Sequence, residues 1–299
     1  MQIFSPFASL RSYVALFLML VCSLGVKASS NDLPVRYGTF NVRYADGDKK
    51  NALRCWDARR NRVAAFIVSQ RLDIVGLQEV LSEQMHDLVV RMPGYDHEGV
   101  HREDGKKKGE ASPIFWKKDV WERQDGGTFW LSETPDVAGS KGWDAACVRI
   151  ATWVLLKHRQ SGKMVICVNT HFDHVGKKAR IESGHLIMRK VKEIADGRDI
   201  PLVLTGDLNV NPSSQTYHSI THNPEFPLLD TSTMGAPHEG PTYTFHGFST
   251  VKPEKAEKID FIFASPGVGV TRTFIPTEDR SKKPKHLSDH NPIVAHLLL

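Results

Sequence analysis

The sequence predicts an α/β protein folded as one large domain. Past residue 34 the chain alternates short β-rich runs with stretches of helical spacing, and no low-complexity linker divides it. Its composition agrees: 40% of the 299 residues are hydrophobic and 24% charged, which suits a globular enzyme and is too apolar for a disordered chain.

The first segment stands apart from this pattern. Arg11 precedes "SYVALFLMLVCSLGV" (12 to 26), an apolar stretch short for a membrane span, and "KASS" (27 to 30) follows with small residues. Residues 1–28 therefore read as a secretory signal cut after Ala28, leaving a single catalytic domain over 29–299 that is secreted or periplasmic. The rival is a membrane anchor or a lipid on Cys22, but Val21 is branched where lipoprotein processing prefers a small residue. Nothing else in the chain is long and apolar enough to span a bilayer, so no stable membrane insertion is expected. Loss of Arg11 and Lys27 with the signal lowers the formal net charge from +5 to +3, which gives only a modest grip on long duplex DNA. The lysine tracts "GKKKGE" (105 to 110) and "SKKPK" (281 to 285) read better as solvated loops than as phosphate contacts. Of the cysteines left, Cys167 lies mid-strand as a buried thiol, while Cys55 and Cys147 offer a disulfide in an exported chain.

Eight strands are expected: 35–41, 73–79, 113–116, 151–158, 164–171, 201–209, 258–264 and 291–299. Two helices are expected between them. Val63, Phe66, Ile67 and Leu72 recur at helical spacing in 56–72, and Ile181, Leu186, Ile187, Val191 and Ile194 do so in a second helix ending at Gly197.

The informative regularity is where the strands stop. The first ends at Asn41, the second at Glu79, the fifth at His171 and the sixth at Asp207 and Asn209, and the last begins just after Asp289 and His290. Any one of these residues is cheap turn chemistry, and Asp207 alone would more often be structural. Five such coincidences point instead to a site at strand ends, where α/β proteins build their chemistry. By strand alternation, Asp207 and Asn209 project together while Leu208 turns inward.

Three carboxylates and two amides favour a hard divalent cation, Mg²⁺ or Mn²⁺, over zinc. Magnesium keeps waters and takes few protein ligands, so Glu79 and Asp289 are the first choices to hold it and Asn41 the next. Asp207 and Asn209 then orient the attacking water or bind a second ion. His290 suits a proton acceptor if a carboxylate holds its other nitrogen, and Asp260, a lone acid in the apolar "KIDFIF", is the candidate. His171 offers a hydrogen bond or a positive charge to the reacting phosphoryl group, or is a satisfied strand-end histidine.

"TFN" (39 to 41), "LQEV" (77 to 80), "NTHFDH" (169 to 174), "TGDLN" (205 to 209), "IDFIF" (259 to 263) and "SDHNP" (288 to 292) together resemble, in their order, the endonuclease/exonuclease/phosphatase superfamily. The resemblance covers the chain from about residue 35 to its end. It implies a four-layered α/β/β/α sandwich with two central mixed β-sheets and a Mg²⁺-dependent hydrolase of phosphate esters. By motif, Asn41 and Glu79 match metal-site positions, Asp289 a metal ligand or an acid that supports one, Asp207 and Asn209 the pair that positions water and phosphate, His171 the phosphate-binding histidine, and Asp260 with His290 the acid–base dyad.

"GEASPIFW" (109 to 116) and the run from Phe129 to Leu156 are similar to secreted bacterial members, nearer the nocturnin and deadenylase branch than the apurinic endonucleases. Arg149, Trp143 and Asn169 are candidates for binding substrate, an arginine for phosphate and a tryptophan for stacking; Trp143 filling core is the competing reading. Glu110 either faces the site or is solvated, and Arg59 or Arg60 either clamps phosphate or braces the first helix. The inositol 5-phosphatase pattern fails, because Val210, Asn211 and Pro212 follow the "GDLN" asparagine and His290 replaces an arginine. The expected partner is a phosphate ester, either a nucleic acid or nucleotide or a small phosphorylated metabolite. The reading from another class is an idle module that only binds a phosphorylated ligand.

Overall fold

The computed structural model describes residues 32–235, 238–249, 251–252, 255–276, 281 and 285–299. The expected signal with Cys22, and Lys282, Lys283 and Pro284 of the second lysine tract, lie outside the described residues. In chain order the elements are β1 (Pro34–Asn41), α1 (Trp56–Ser69), β2 (Ile74–Gln78), α2 (Ser82–Arg91), β3 (Tyr95–Glu98), β4 (Ile114–Lys117), β5 (Trp121–Trp130), β6 (Ile150–His158), β7 (Met164–His171), α3 (Lys177–Ala195), β8 (Leu202–Asp207), α4 (Gln215–Thr221), β9 (Leu229–Asp230), β10 (His238–Glu239), β11 (Asp260–Ala264), β12 (Gly269–Phe274) and β13 (Ile293–Leu298).

Among the described residues these strands form two mixed sheets, one of seven strands in the order β10-β12-β13-β1-β2-β4-β3 and one of six in the order β5-β6-β7-β8-β11-β9. The sheets face each other across a core of Val35, Tyr37, Ile74, Val165, Cys167, Val203 and Ile262. Helices α1 and α2 cover the outer face of the first sheet through Val63, Ile67, Met85 and Leu88, and α3 and α4 cover the second through Leu186, Ile187, Val191 and Ile220. The four layers of the expected sandwich are thus present. Each large side chain removed from water here contributes about 1.5–3 kcal/mol, which is why the central strands are almost uninterrupted runs of Val, Ile, Leu and Phe.

Topology brings the strand tips together. β1 and β2 are parallel and in register at Asn41 and Gln78, so Glu79 emerges beside Asn41. β7 and β8 are parallel with His171 opposite Asp207. β11 runs antiparallel to β8 and starts where β8 ends, placing Asp260 opposite Asp207, and β13 runs antiparallel to β1 and starts just past His290. A parallel pair needs a crossover, and α1 and α3 supply it. The two sheets touch closely at the rim: a Cβ at Gly76 would come 2.4 Å from Thr205 Oγ1 and 2.5 Å from Asn169 Oδ1.

Three expectations are corrected. Cys55 and Cys147 are free: Cys55 caps the start of α1, whereas Cys147 lines the cavity described below. Residues 121–130 form a ten-residue strand, β5, although "WERQDGGTFW" carries charges and two glycines that mask it. The sixth strand stops at Asp207, and Asn209 lies beyond it at φ 51°, so the two side chains converge through a turn and not through strand alternation. Cys167 is buried as expected, and burial pushes its thiol up to about 12. No helix among the described residues is long and apolar enough to cross a membrane.

Candidate active site

A cavity of about 710 Å³ opens at the converged strand tips, lined among others by Arg43, Glu79, Arg102, Glu110, Arg149, His171, Asp207, Asn209, Asp289 and His290. Three of its non-glycine residues, Arg43, Glu79 and Asn209, have positive φ (59°, 64° and 51°), each just past the end of a strand. Such backbone is uncommon for bulky residues and is held in place by its neighbours. Here the neighbours are hydrogen bonds that turn side chains into the cavity: Arg43 N donates to Asn41 Oδ1 (3.0 Å), Tyr44 N to Glu79 Oε2 (2.9 Å) and Asn209 N to Asp207 Oδ1 (2.9 Å).

Asn41 sits beneath this floor, fully buried. Its Nδ2 donates to Glu79 Oε1 and to Asp207 Oδ2, both at 3.0 Å, while its Oδ1 is taken by the Arg43 amide. In this arrangement Asn41 supports the two carboxylates, its oxygen on the Arg43 amide and its nitrogen bridging Glu79 and Asp207. Glu79 and Asp289 do present oxygens to the cavity. Burial, and then the charge of Glu79, raise Asp289 above its ordinary pKa, while Arg43 Nη1 at 3.5 Å offsets part of that repulsion. Neighbouring carboxylates that disfavour each other's charge fit a hard cation, and the all-oxygen set suits Mg²⁺ or Mn²⁺.

His290 Nδ1 lies 2.9 Å from Asp260 Oδ2, and its Nε2 lies 3.7 Å from Asp207 Oδ2. One atom from each of these three residues falls within 4.8 Å of the others, with Nδ1 engaged by Asp260. Burial works against a charged His290 ring, yet Asp260 and Asp207 outweigh it and carry the ring up to about 10. Burial and then Asp260 push Asp207 up to about 7, against the opposite pull of His290. Asp260 and Asp207 thus favour the charged form of His290, and burial beside Asp260 favours the protonated form of Asp207.

His171 goes the other way. Burial, with Arg149 and Arg102, lowers it well below 6.5, so it offers a hydrogen bond and not a charge. Its Nε2 lies 3.0 Å from Asn209 Nδ2, which also donates to the Phe172 carbonyl at 3.0 Å. Glu110 faces the cavity, held by Arg102 at 2.8 and 3.0 Å, and burial raises its pKa.

Of the expected substrate-binding residues, Arg149 lines the cavity and the other two do not. Asn169 is wholly buried between the sheets, accepting from Gln78 and donating to the Leu77 and Pro113 carbonyls. It shares a face with His171 but lies one pleat deeper. Trp143 packs on the core beneath α3, the competing reading. Arg59 braces the first helix: its guanidinium is buried against the Val42, Arg54 and Leu287 carbonyls. Arg60 pairs with Asp57 and Asp87. Lys106, Lys107 and Lys108 are exposed, their amides capping Asp104 in a solvated loop. Residue patterns gave no assignment to Arg43 or Arg102. Asp173 and His174 stood inside the quoted "NTHFDH", which was the available signal for both.

The family model for the endonuclease/exonuclease/phosphatase family matches residues 38–290. A structure of an endonuclease/exonuclease/phosphatase from Bacteroides vulgatus is 48% identical, with TM-score 0.83, covering 89% of this chain and 98% of that one. A mannosyl-6-phosphatase from Bacteroides thetaiotaomicron is 34% identical, with TM-score 0.81, covering 89% and 100%. The Ccr4 3'-5'-exoribonuclease subunit of the CCR4-Not complex from Aspergillus clavatus is 22% identical over 285 residues; the match takes in 70% of this chain and only 42% of that curated relative's length.

Proposed function

The chain belongs to the endonuclease/exonuclease/phosphatase family, and from that premise we propose that it is a divalent-cation-dependent hydrolase of phosphate esters small enough to enter its cavity. The observation that carries the reading is the buried Asp260–His290–Asp207 group, 2.9 and 3.7 Å from one residue to the next, at a cavity lined by both acids and arginines. Glu79 and Asp289 would hold the cation, which when bound supplies positive charge against that developing on the phosphoryl oxygens.

The remaining steps fall to the chain's own side chains. Asp207, with a pKa of about 7, takes the proton of the attacking water near neutral pH, where Brønsted behaviour makes such a base most effective. Asn209, whose backbone amide holds Asp207 and whose side chain holds His171, keeps water and phosphate in line. Charged His290, fixed by Asp260, and the neutral His171 then donate to the oxygens that gain charge. A mannosyl-6-phosphatase among the relatives supports a small substrate over a polymer.

The test is hydrolysis of p-nitrophenyl phosphate and bis(p-nitrophenyl) phosphate with Mg²⁺ or Mn²⁺. Glu79→Gln and His290→Ala should each lower turnover by about 10³-fold or more with the melting temperature little changed. Near-wild-type rates in either variant would contradict the assignment, and phosphate binding with no turnover in the wild type would point to an idle binding module.

A further inference from the structure

Away from the cavity, α4 ends on two imidazoles that meet nitrogen to nitrogen. His218 and His222 stand four residues apart, and the His222 amide donates to the His218 carbonyl at 2.9 Å, so the helical path holds one residue past Thr221 and both rings share a face. Both residues are exposed, while Thr216, Tyr217 and Ile220 are buried and carry the packing of the helix. The two Nδ1 atoms lie 3.3 Å apart, and the ring planes cross at 70° with centroids 4.9 Å apart.

In the protein alone a proton accounts for this contact. Thr221 Oγ1 gives its one proton to the Tyr217 carbonyl at 3.1 Å, so toward His222 Nδ1, 2.8 Å away, it can only accept. His222 therefore carries a proton on Nδ1 and shares it between Thr221 Oγ1 and His218 Nδ1. A metal cation can take the place of that proton. When the His222 proton moves to Nε2, both Nδ1 lone pairs become available and neither ring has to lose a proton to solvent.

The geometry selects the cation. Two imidazole nitrogens suit zinc, copper or nickel and not the hard cation of the cavity. Nitrogens bound at about 2.0–2.1 Å lie roughly 3.3–3.4 Å apart on a tetrahedral ion, but only roughly 2.9 Å apart at the right angle of a square or octahedral one. The observed 3.3 Å is a tetrahedral edge. The negative end of the helix dipole lies at the same place and favours a cation there.

We propose that His218 Nδ1 and His222 Nδ1 chelate one Zn²⁺ at the C-terminal end of α4, with water completing the tetrahedron. Neither residue lines the oxygen-rich cavity, so the site is separate from it and takes a different class of metal. An ion held there closes the last turn of a seven-residue helix, too short to persist without its packing. Zinc should thereby stabilise the helical layer over the second sheet.

The experiment titrates Zn²⁺ into the full chain in excess Mg²⁺ by calorimetry, with His218→Gln and His222→Gln alongside and the histidine Cε1–H signals followed by NMR. Wild type should take up one equivalent of Zn²⁺ that each variant binds at least about 10-fold more weakly, because even an indirect partner of a metal is worth that much. The signals of His218 and His222 should shift together as this equivalent binds. Zn²⁺ should also raise the melting temperature of wild type more than that of either variant. Equal uptake by wild type and both variants, or uptake that leaves the two signals unmoved, overturns the proposal. Loss of the equivalent in only one variant overturns the chelate, since a single histidine would then hold the ion.

Discussion

His290 and His171 line one cavity, are both buried, and stand at nearly the same distance from one carboxylate, with Nε2 3.7 and 3.6 Å from Asp207 Oδ2. Burial disfavours the charged form of each. His290 is nevertheless raised to about 10 and His171 is lowered well below 6.5. The difference comes from the charges around each ring: Asp260 at 2.9 Å and Asp207 for His290, Arg149 and Arg102 for His171. The lesson is that a histidine's role in this site is set by its second neighbour. One cavity thereby holds one histidine driven toward its charged form and one toward its neutral form.

The sharpest way to break this contrast is Asp260→Asn, which keeps the shape and removes the charge. Wild-type kcat/KM should rise as Asp207 loses its proton near pH 7 and fall as His290 loses its proton near pH 10. Asp260 raises both groups, so D260N should shift both limbs to lower pH and cost about 10²–10⁴-fold in kcat, the range for removing the acid behind a catalytic imidazole. A pH–rate profile on p-nitrophenyl phosphate reads this directly. An unmoved alkaline limb would show that Asp260 does not govern His290.

A smaller effect is expected on the other ring. His171→Gln removes a donor but no charge, because the ring is already neutral at pH 7 and above. Loss of about 10–100-fold in kcat/KM should follow, typical of one positioned donor, with both limbs of the pH profile where they were. A shift of the alkaline limb in this variant would mean the two histidines are not independently set.

The same contrast explains what was legible in the sequence. Tips of buried strands were readable, because an apolar run ending on Glu79, His171 or Asp207 stands out against its own composition. Arg43 and Arg102 lie on loops, where charged residues are ordinary and only the three-dimensional path shows which face a cavity, and for the same reason the sequence left Glu110 open between the site and solvent. Asn169 was misleading for the opposite reason. It obeys the strand alternation that marks His171, but one pleat down from the rim that face meets the other sheet, and its amide joins Gln78 to Thr205. The β5 run and the short α2 were hidden by composition, since "WERQDGGTFW" is held by its nine-residue pairing with β6 and not by its own preference for strand.

The smallest expected effect extends the comparison to carboxylates. Asp207 and Asp173 are both nearly inaccessible, at 1% exposed each, and burial pushes both upward. Asp207 stays raised because Asp260 repels it, whereas four backbone N–H groups draw Asp173 well below the usual carboxylate range. A carboxylate whose folded pKa is depressed stabilises fully above its unfolded value of about 3.9 and loses that contribution as pH falls through the folded value. Asp173→Asn removes the charge and leaves fewer acceptor sites for four donors, so it should cost about 1–3 kcal/mol at pH 7. For a domain of this size that lowers the melting temperature by roughly 2–4 °C per kcal/mol. Calorimetry of D173N against wild type should find the gap level from pH 7 to about pH 4 and narrowing below it. A gap that is absent at pH 7, or that widens on acidification, would show that the amides do not hold the charged form.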